Sequence, residues 1–246
     1  MYWLMNAWAD FQRKFYVCFI KEDRWKMMLE GLGITLKITF FALIVGLIIG
    51  ICVALVRSTW DRNGKAMHKG WRKLLLRVAN RISVIYVTVM RGTPVMVQLL
   101  IWYFVILVAS NNKQLVAICA FGINSGAYVA EIFRAGIMSI DYGQTEAGRS
   151  LGFNYVQTMR YIILPQAVKN VLPTLCNEFI ALLKETSICG YIGLAELTRA
   201  GDIIRGRTYI AFLPLFAVAI GYLVMVIILT WLIGKLERRL RASDVR

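Results

Sequence analysis

Charged and hydroxyl side chains set inside apolar sequence are the ones with chemistry to offer in this chain. Glu178 lies in a run able to cross a bilayer, ~20 Å of helix beyond Pro165 at a rise of about 1.5 Å per residue, and its nearest cation along the chain, Lys184, is too far on to be an i+4 neighbour. A carboxylate at that depth needs a partner. It reads as a ligand or gate residue receiving an ammonium or guanidinium group, the alternative being a structural pair with a second subunit. Thr186 and Ser187 follow at the outer end of the same run, where hydroxyls or freed backbone N–H groups suit a carboxylate. Thr93, beside Pro94, is a candidate of the same kind, and Asn177 suits either a ligand or a bond between helices. Glu131 stands three residues before Arg134 and reads as half of an ion pair on one helix face, the alternative being direct ligand contact.

Catalytic chemistry is harder to find. No G-x-x-x-x-G-K-[ST] stretch occurs, and the nearest candidate, 63-NGKAM-67, lacks both the earlier glycine and the Ser/Thr that would hold magnesium. There is no histidine pair and no Gly-x-Ser-x-Gly elbow. His68 is the single histidine, in a basic segment, and reads as a solvated loop residue. The cysteines at 18, 52, 119, 176 and 189 are scattered and read as small hydrophobes. We therefore expect no enzyme, no metal site and no cofactor on this chain.

The elements that must position these residues are membrane helices. Hydrophobic residues make up 59% of the 246, and several runs approach or exceed the ~20 residues that span a bilayer. The fold class expected is an all-α membrane protein with about five transmembrane helices. Spans are read over 34–56, 95–109, about 114–137, about 161–183 and about 209–233, with a surface or partly embedded helix before 90. Gly46 and Gly50, four apart in the first span, suit a close helix approach, although glycine is common in spans. Residues 1–30 place Leu4, Trp8, Phe11, Phe15 and Phe19 along one side of an interfacial amphipathic helix. This segment has no signal-peptide pattern, so the mature protein is expected to keep it.

The net charge of +15 sits mostly beside apolar runs, which points to lipid headgroups and orientation and away from nucleic acid. Putting 57–81, 134–160 and 235–246 on one side gathers sixteen Lys and Arg there against nine on the other. That side is expected to be cytoplasmic, with the amino terminus outside and the carboxyl-terminal tail inside a cell membrane.

On this placement 138–160 faces the cytoplasm. Gly143 to Leu151 suit a short helix with Asp141 as N-cap, Glu146 in its early turns and Gly152 as the left-handed stop. Ala147 and Gly148 keep one side thin, and Phe153 starts a second helical stretch in which Pro165 marks a bend. Leu151 and Phe153 are apolar residues at a turn flanked by charge, as on a docking surface, the alternative being a helix resting on headgroups.

These residues resemble the permease subunits of ABC importers, whose signature is Glu-Ala-Ala, three residues, Gly, nine residues, Ile, one residue, Leu-Pro. Here Glu146, Ala147, Gly152, Ile162, Leu164 and Pro165 stand at that spacing, with Gly148 in place of the second alanine. The stretches 31-GLGITLKIT-39, 91-RGTPVMVQL-99, 124-NSGAYVAEIFRAGI-137 and 177-NEFIALLKETSI-188 are similar to the polar amino-acid branch of that family. The resemblance implies a coupling helix over about 141–160 within a permease domain at 31–235, between an outer-face segment at 1–30 and a basic tail at 236–246. It also implies partners: two ATPase subunits carrying ATP and magnesium, a second permease subunit, identical or homologous, and an extracytoplasmic binding protein that delivers a polar amino acid. The alternative is an ion-coupled secondary transporter or channel acting without an ATPase, to which five spans are poorly suited because they do not divide into equal repeats.

Overall fold

Peptide groups placed in hydrocarbon have no water to bond, so each must find a partner within its own segment. The chain answers with helix nearly throughout; among the described residues, 2–64, 67–68 and 70–242 of the computed structural model, there is no strand. Residues 243–246 of the expected tail lie outside the described residues, as does the side chain of Leu4.

Helix α1 (Tyr2–Phe15) runs through a π turn, Tyr16–Ile20, to a break at Lys21–Asp23, where Glu22 and Asp23 both take positive φ. Buried Arg24 staples the break, donating to the Val17 carbonyl at 2.8 Å and to Glu22 at 2.9 Å. Its guanidinium holds the Glu22 carboxyl below the usual carboxylate range. Beyond it α2 (Arg24–Asn63) is a single 40-residue helix, longer at both ends than the span read from hydropathy. Then come α3 (Trp71–Gly92), the short α4 (Val95–Ile101) with a π turn Trp102–Ile106, and α5 (Lys113–Met138). Next are α6 (Tyr142–Ser150), α7 (Tyr155–Thr158), a π turn Met159–Ile163 and α8 (Leu164–Glu185). A 3-10 stretch, Thr186–Ile192, leads to α9 (Leu197–Thr208) and α10 (Phe212–Ala242).

Packing centres on α2 against α5. Gly46 and Gly50 face this seam: a Cβ on Gly46 would lie 3.2 Å from the Ser125 side chain, and one on Gly50 would overlap Val129. Gly122 and Gly126 answer from α5, so each helix offers a small-xxx-small pair to the other. Ile38, Ala42, Leu99, Ala120, Phe121 and Leu182 close the core beside the seam.

Among the described residues three helical stretches are long and apolar enough to cross a membrane, ending in α2, α5 and α10, and a fourth crossing is available if α3 and α4 count together. The span expected over 95–109 is therefore corrected. Residues 95–106 rise only ~18 Å, short of a hydrocarbon core of about 30 Å, and turn from α3 by 107°. Thr93 is extended at the bend because proline disfavours helix in the residue before it. Gln98 Nε2 donates to the Met90 carbonyl (2.9 Å) and to Thr93 Oγ1 (2.7 Å), while Asn124 Nδ2 donates to Gln98 Oε1 (2.9 Å) and the Met90 carbonyl (3.1 Å). The polar groups released by the break are thus bonded inside the protein. The expected span at 161–183 is present as a helix from 164, but polar residues along one face keep it from reading as an apolar crossing.

Candidate functional site

At one end of the bundle α6 is built almost entirely by local chemistry. Asp141 caps it, its Oδ1 accepting from Gly143 N–H at 2.6 Å. At the far end Gly152 takes φ +81°, Phe153 N–H donates to the Gly148 carbonyl (3.0 Å) and Gly152 N–H to that of Arg149 (2.9 Å), which is the Schellman arrangement. Asn154 and Gln157 then form a reciprocal capping box that starts the next helix, at Tyr155 rather than Phe153.

The side of α6 that meets the bundle is fixed. Arg62, in the last turn of α2, donates to Thr145 Oγ1 (3.0 Å) and to the carbonyls of Ile137 (2.5 Å) and Ile140 (3.3 Å). Gly148 is buried: a Cβ there would stand 2.8 Å from Thr158 Cγ2 and 3.0 Å from Ile162 Cδ1. The expectation that Ala147 and Gly148 together thin one side is corrected, since only Gly148 faces the packed side and Ala147 is exposed. An alanine at 148 would press on Thr158, whose side chain would have to shift to admit it. Opposite lie Glu146, Ala147, Leu151 and Phe153, all exposed, Leu151 at 73%.

Polar side chains gather along α8. Gln166, Asn170, Thr174 and Asn177 are exposed at helical spacing, and half-buried Glu178 continues the stripe. Ser125 Oγ donates to Glu178 Oε1 at 3.0 Å, across from α5. Lower on the same side a cavity of about 470 Å³ is lined by Arg91, Glu131, Ser139, Asn170 and Thr174 among others. The Arg91 guanidinium lies 5.3 Å from the Tyr128 ring. Glu131 bonds Arg134 at 3.3 Å, as its spacing suggests, but it also pairs with Arg57, and Arg134 reaches Asp61 at 3.2 Å. The result ties α2 to α5.

The remaining expected residues sit apart. Thr93 donates to the Val89 carbonyl (2.8 Å) and accepts from Gln98, so its hydroxyl belongs to the bend. Thr186 is fully buried and donates to the Leu183 carbonyl at 2.7 Å. Ser187 lines a separate cleft of about 380 Å³ with Tyr191, Glu196, Arg199, Asp202 and Arg205, and Glu178 is not part of that lining. Buried Glu196 caps α9 there, accepting from the N–H groups of Thr198 and Arg199, each at 2.7 Å, and from Tyr222 Oη at 3.1 Å. Arg205 holds the Asp202 carboxyl below its usual range. Sequence reasoning missed Ser125, Arg57, the polar stripe of α8 and the whole of α9. Only the stripe and the Glu196 cap had a local signal to find.

Residues 73–242 match the family described as Binding-protein-dependent transport system inner membrane component. The chain belongs to that family. It is a membrane permease subunit, and such chains are transport components, not enzymes. The glutamine transport system permease protein GlnP of Escherichia coli (strain K12) is 36% identical over 219 residues, covering 87% of this permease and 93% of the relative. The arginine transport system permease protein ArtQ of Bacillus subtilis (strain 168) is 39% identical over 220 residues, covering 88% and 94%. A solved amino acid ABC transporter with histidines superposes with a TM-score of 0.77 at 40% identity, over 90% of this permease and 98% of that chain. The inward-facing MetNI methionine ABC transporter, at 21% identity and a TM-score of 0.73, shares the fold. These relationships do not favour an ion-coupled transporter or channel that works alone.

Proposed function

We propose that this permease passes a polar amino acid through the membrane in an importer driven by two separate ATPase subunits, which carry the ATP and magnesium. The observation that carries the reading is α6: one side is locked to α2 through Arg62 and, at Gly148, to Thr158 of α7 and Ile162 of the π turn that follows, while Glu146, Leu151 and Phe153 are exposed. A short capped helix fixed at its root and apolar at its tip is suited to receive motion from a partner cleft. Residues 141–160 act as the coupling segment within a permease domain at 31–235. An extracytoplasmic binding protein delivers the substrate, and a second permease subunit, identical or homologous, closes the path.

The path runs along the polar stripe of α8, with Glu178 as its charged contact and Asn177 beside it; Ser187 and Thr186 lie nearer the outer end, and Thr93 supports the bend. The sixteen-to-nine imbalance of Lys and Arg supports a cytoplasmic α6 and tail at 236–246 and an outer amino terminus. In segment 1–30 the aromatic row Trp8, Phe11 and Phe15, with neighbouring rings 5.7 and 6.2 Å apart, suits the outer leaflet interface. Reconstitution in vesicles tests the proposal. The permease with its ATPase and binding protein should concentrate an amino acid when ATP is added, and the permease alone should not. Leu151→Asp should abolish uptake and weaken ATPase co-purification with insertion intact. Normal uptake by that variant would remove α6 from the coupling role.

A further inference from the structure

The first turns of α3 carry charge and apolar surface that none of the transport parts uses. Trp71, Leu74, Leu75, Val78, Ile82 and Ile85 are all exposed and recur at spacings of one, three and four, which sets them along one side of the helix. Arg72, Lys73, Arg77 and Arg81 flank that side. The segment 57–81 as a whole holds eight Lys and Arg against the single acid Asp61.

Between α3 and the last turn of α2 lies a cleft of about 470 Å³ lined by Trp60, Asp61, Gly64, Lys73 and Arg77. Its one carboxylate, Asp61, is already bonded by Arg134 at 3.2 Å. Among the described residues its cations meet neutral partners: Lys73 Nζ donates to the Met67 carbonyl at 2.8 Å, and the Arg77 guanidinium lies 5.8 Å from the centre of the Trp60 ring. Gly64 permits the turn to pass there, since a Cβ would stand 2.8 Å from Trp60 Cδ2. Two cations and an indole ring thus frame a hollow whose described lining offers no free negative charge.

We propose that this cleft binds the phosphate headgroup of an anionic phospholipid, with an acyl chain lying along Leu74, Val78 and Ile82. A basic amphipathic helix beside a span settles at the boundary between headgroups and acyl chains. There its cations meet a negative surface, and tryptophan sits at headgroup level. Charge complementarity and the unbroken apolar stripe leading toward the bend at Gly92 both favour lipid over an acidic protein face. Trp60 is two residues from Arg62, so the lipid would sit at the root of α6. Assignment to the cytoplasmic leaflet rests on the orientation proposed above; the binding itself does not.

The test uses the intact importer, stripped of lipid in detergent and re-equilibrated with equal amounts of phosphatidylglycerol and phosphatidylcholine, with retained lipid weighed by native mass spectrometry. Wild type should retain phosphatidylglycerol in preference, and Lys73→Gln with Arg77→Gln should cut that preference about tenfold, given what each cation contributes near an anionic surface. Arg13→Gln with Lys14→Gln, an equal charge loss in α1, should leave it intact. If the α3 pair fails to assemble, loss of the wild-type preference at high salt gives the same support. An unchanged ratio in the α3 variant, or an equal fall in both variants, overturns the proposal. Displacement of the lipid by millimolar inorganic phosphate would make this a free-phosphate site, and cross-linking from Arg72→Cys to an ATPase subunit would assign the face to protein; either result also overturns it. Uptake by the same preparation is read separately, so failure of lipid binding and failure of the transport reading are distinguishable.

Discussion

Glu178 is the residue on which substrate choice should turn. Its carboxylate is half-buried, bonded by Ser125 from α5, and set on the polar face of α8. Glu178→Gln keeps the shape and the acceptor for Ser125 while removing the charge, so a structural role predicts the same change for every substrate. A ligand role predicts a selective one. Uptake of a cationic amino acid should fall roughly tenfold more than uptake of a neutral one, on the scale of one charge-assisted hydrogen bond. Equal losses for both substrates would assign Glu178 to structure. What was legible at this scale was short in range. The Asp141 cap and the Gly152 stop follow from residues two to five apart, and both are seen. Ser125 and Glu178 are 53 positions apart, and Arg57 and Glu131 are 74 apart. No spacing rule reaches across such intervals, because the pairing depends on how α2, α5 and α8 pack.

At the scale of elements the bend between α3 and α4 is the least ordinary feature, and one side chain dominates it. Gln98 is buried, bonds the Met90 carbonyl and the Thr93 hydroxyl, and accepts from Asn124. Gln98→Leu would fill the space but take from the Asn124 amide its Gln98 acceptor, leaving it only the Met90 carbonyl, which loses its Gln98 donor in turn, at a cost of about 1–3 kcal/mol. Thermal unfolding of the purified permease should drop by several degrees, and Gln98→Glu should restore less than the original glutamine because it loses the amide donor. An unchanged midpoint for Gln98→Leu would mean the bend is held by proline alone. The sequence marks the break at 91-RGTP-94, but hydropathy alone does not distinguish a short re-entrant arm from a span, and residues 95–109 are apolar enough to suggest either. α9 escaped notice for the opposite reason: its 12 residues mix charge with small apolar side chains and carry no long period. The polar stripe of α8 was in principle readable from Gln166, Asn170, Thr174 and Asn177, but an average over the whole run dilutes it.

For the molecule as a whole, two exposed surfaces of opposite chemistry determine how it sits among its neighbours. α10 presents Leu223, Ile227 and Trp231 outward, and most of its apolar length is not covered by the rest of the chain. Such a surface belongs against lipid. α8 presents Asn170, whose amide donates to Ser139 Oγ at 3.2 Å, with Thr174 and Asn177, and polar side chains facing hydrocarbon would be costly. That face must meet a second subunit or a water-filled path. Nitroxide labels at the two sites separate these environments directly. In the reconstituted importer a label at Ile227→Cys should relax with oxygen, which concentrates in the bilayer, and ignore a water-soluble nickel chelate. A label at Thr174→Cys should respond to the chelate or be shielded from both agents. If position 174 behaved like position 227, α8 would lie open to lipid, and a path shared between two permease subunits along its polar face would have to be abandoned. The same pair of labels also reports on cycling: trapping the ATPase subunits with a non-hydrolysable nucleotide should change chelate access at 174 and leave oxygen access at 227 as it was, because only the path-lining face is asked to alternate between the two sides.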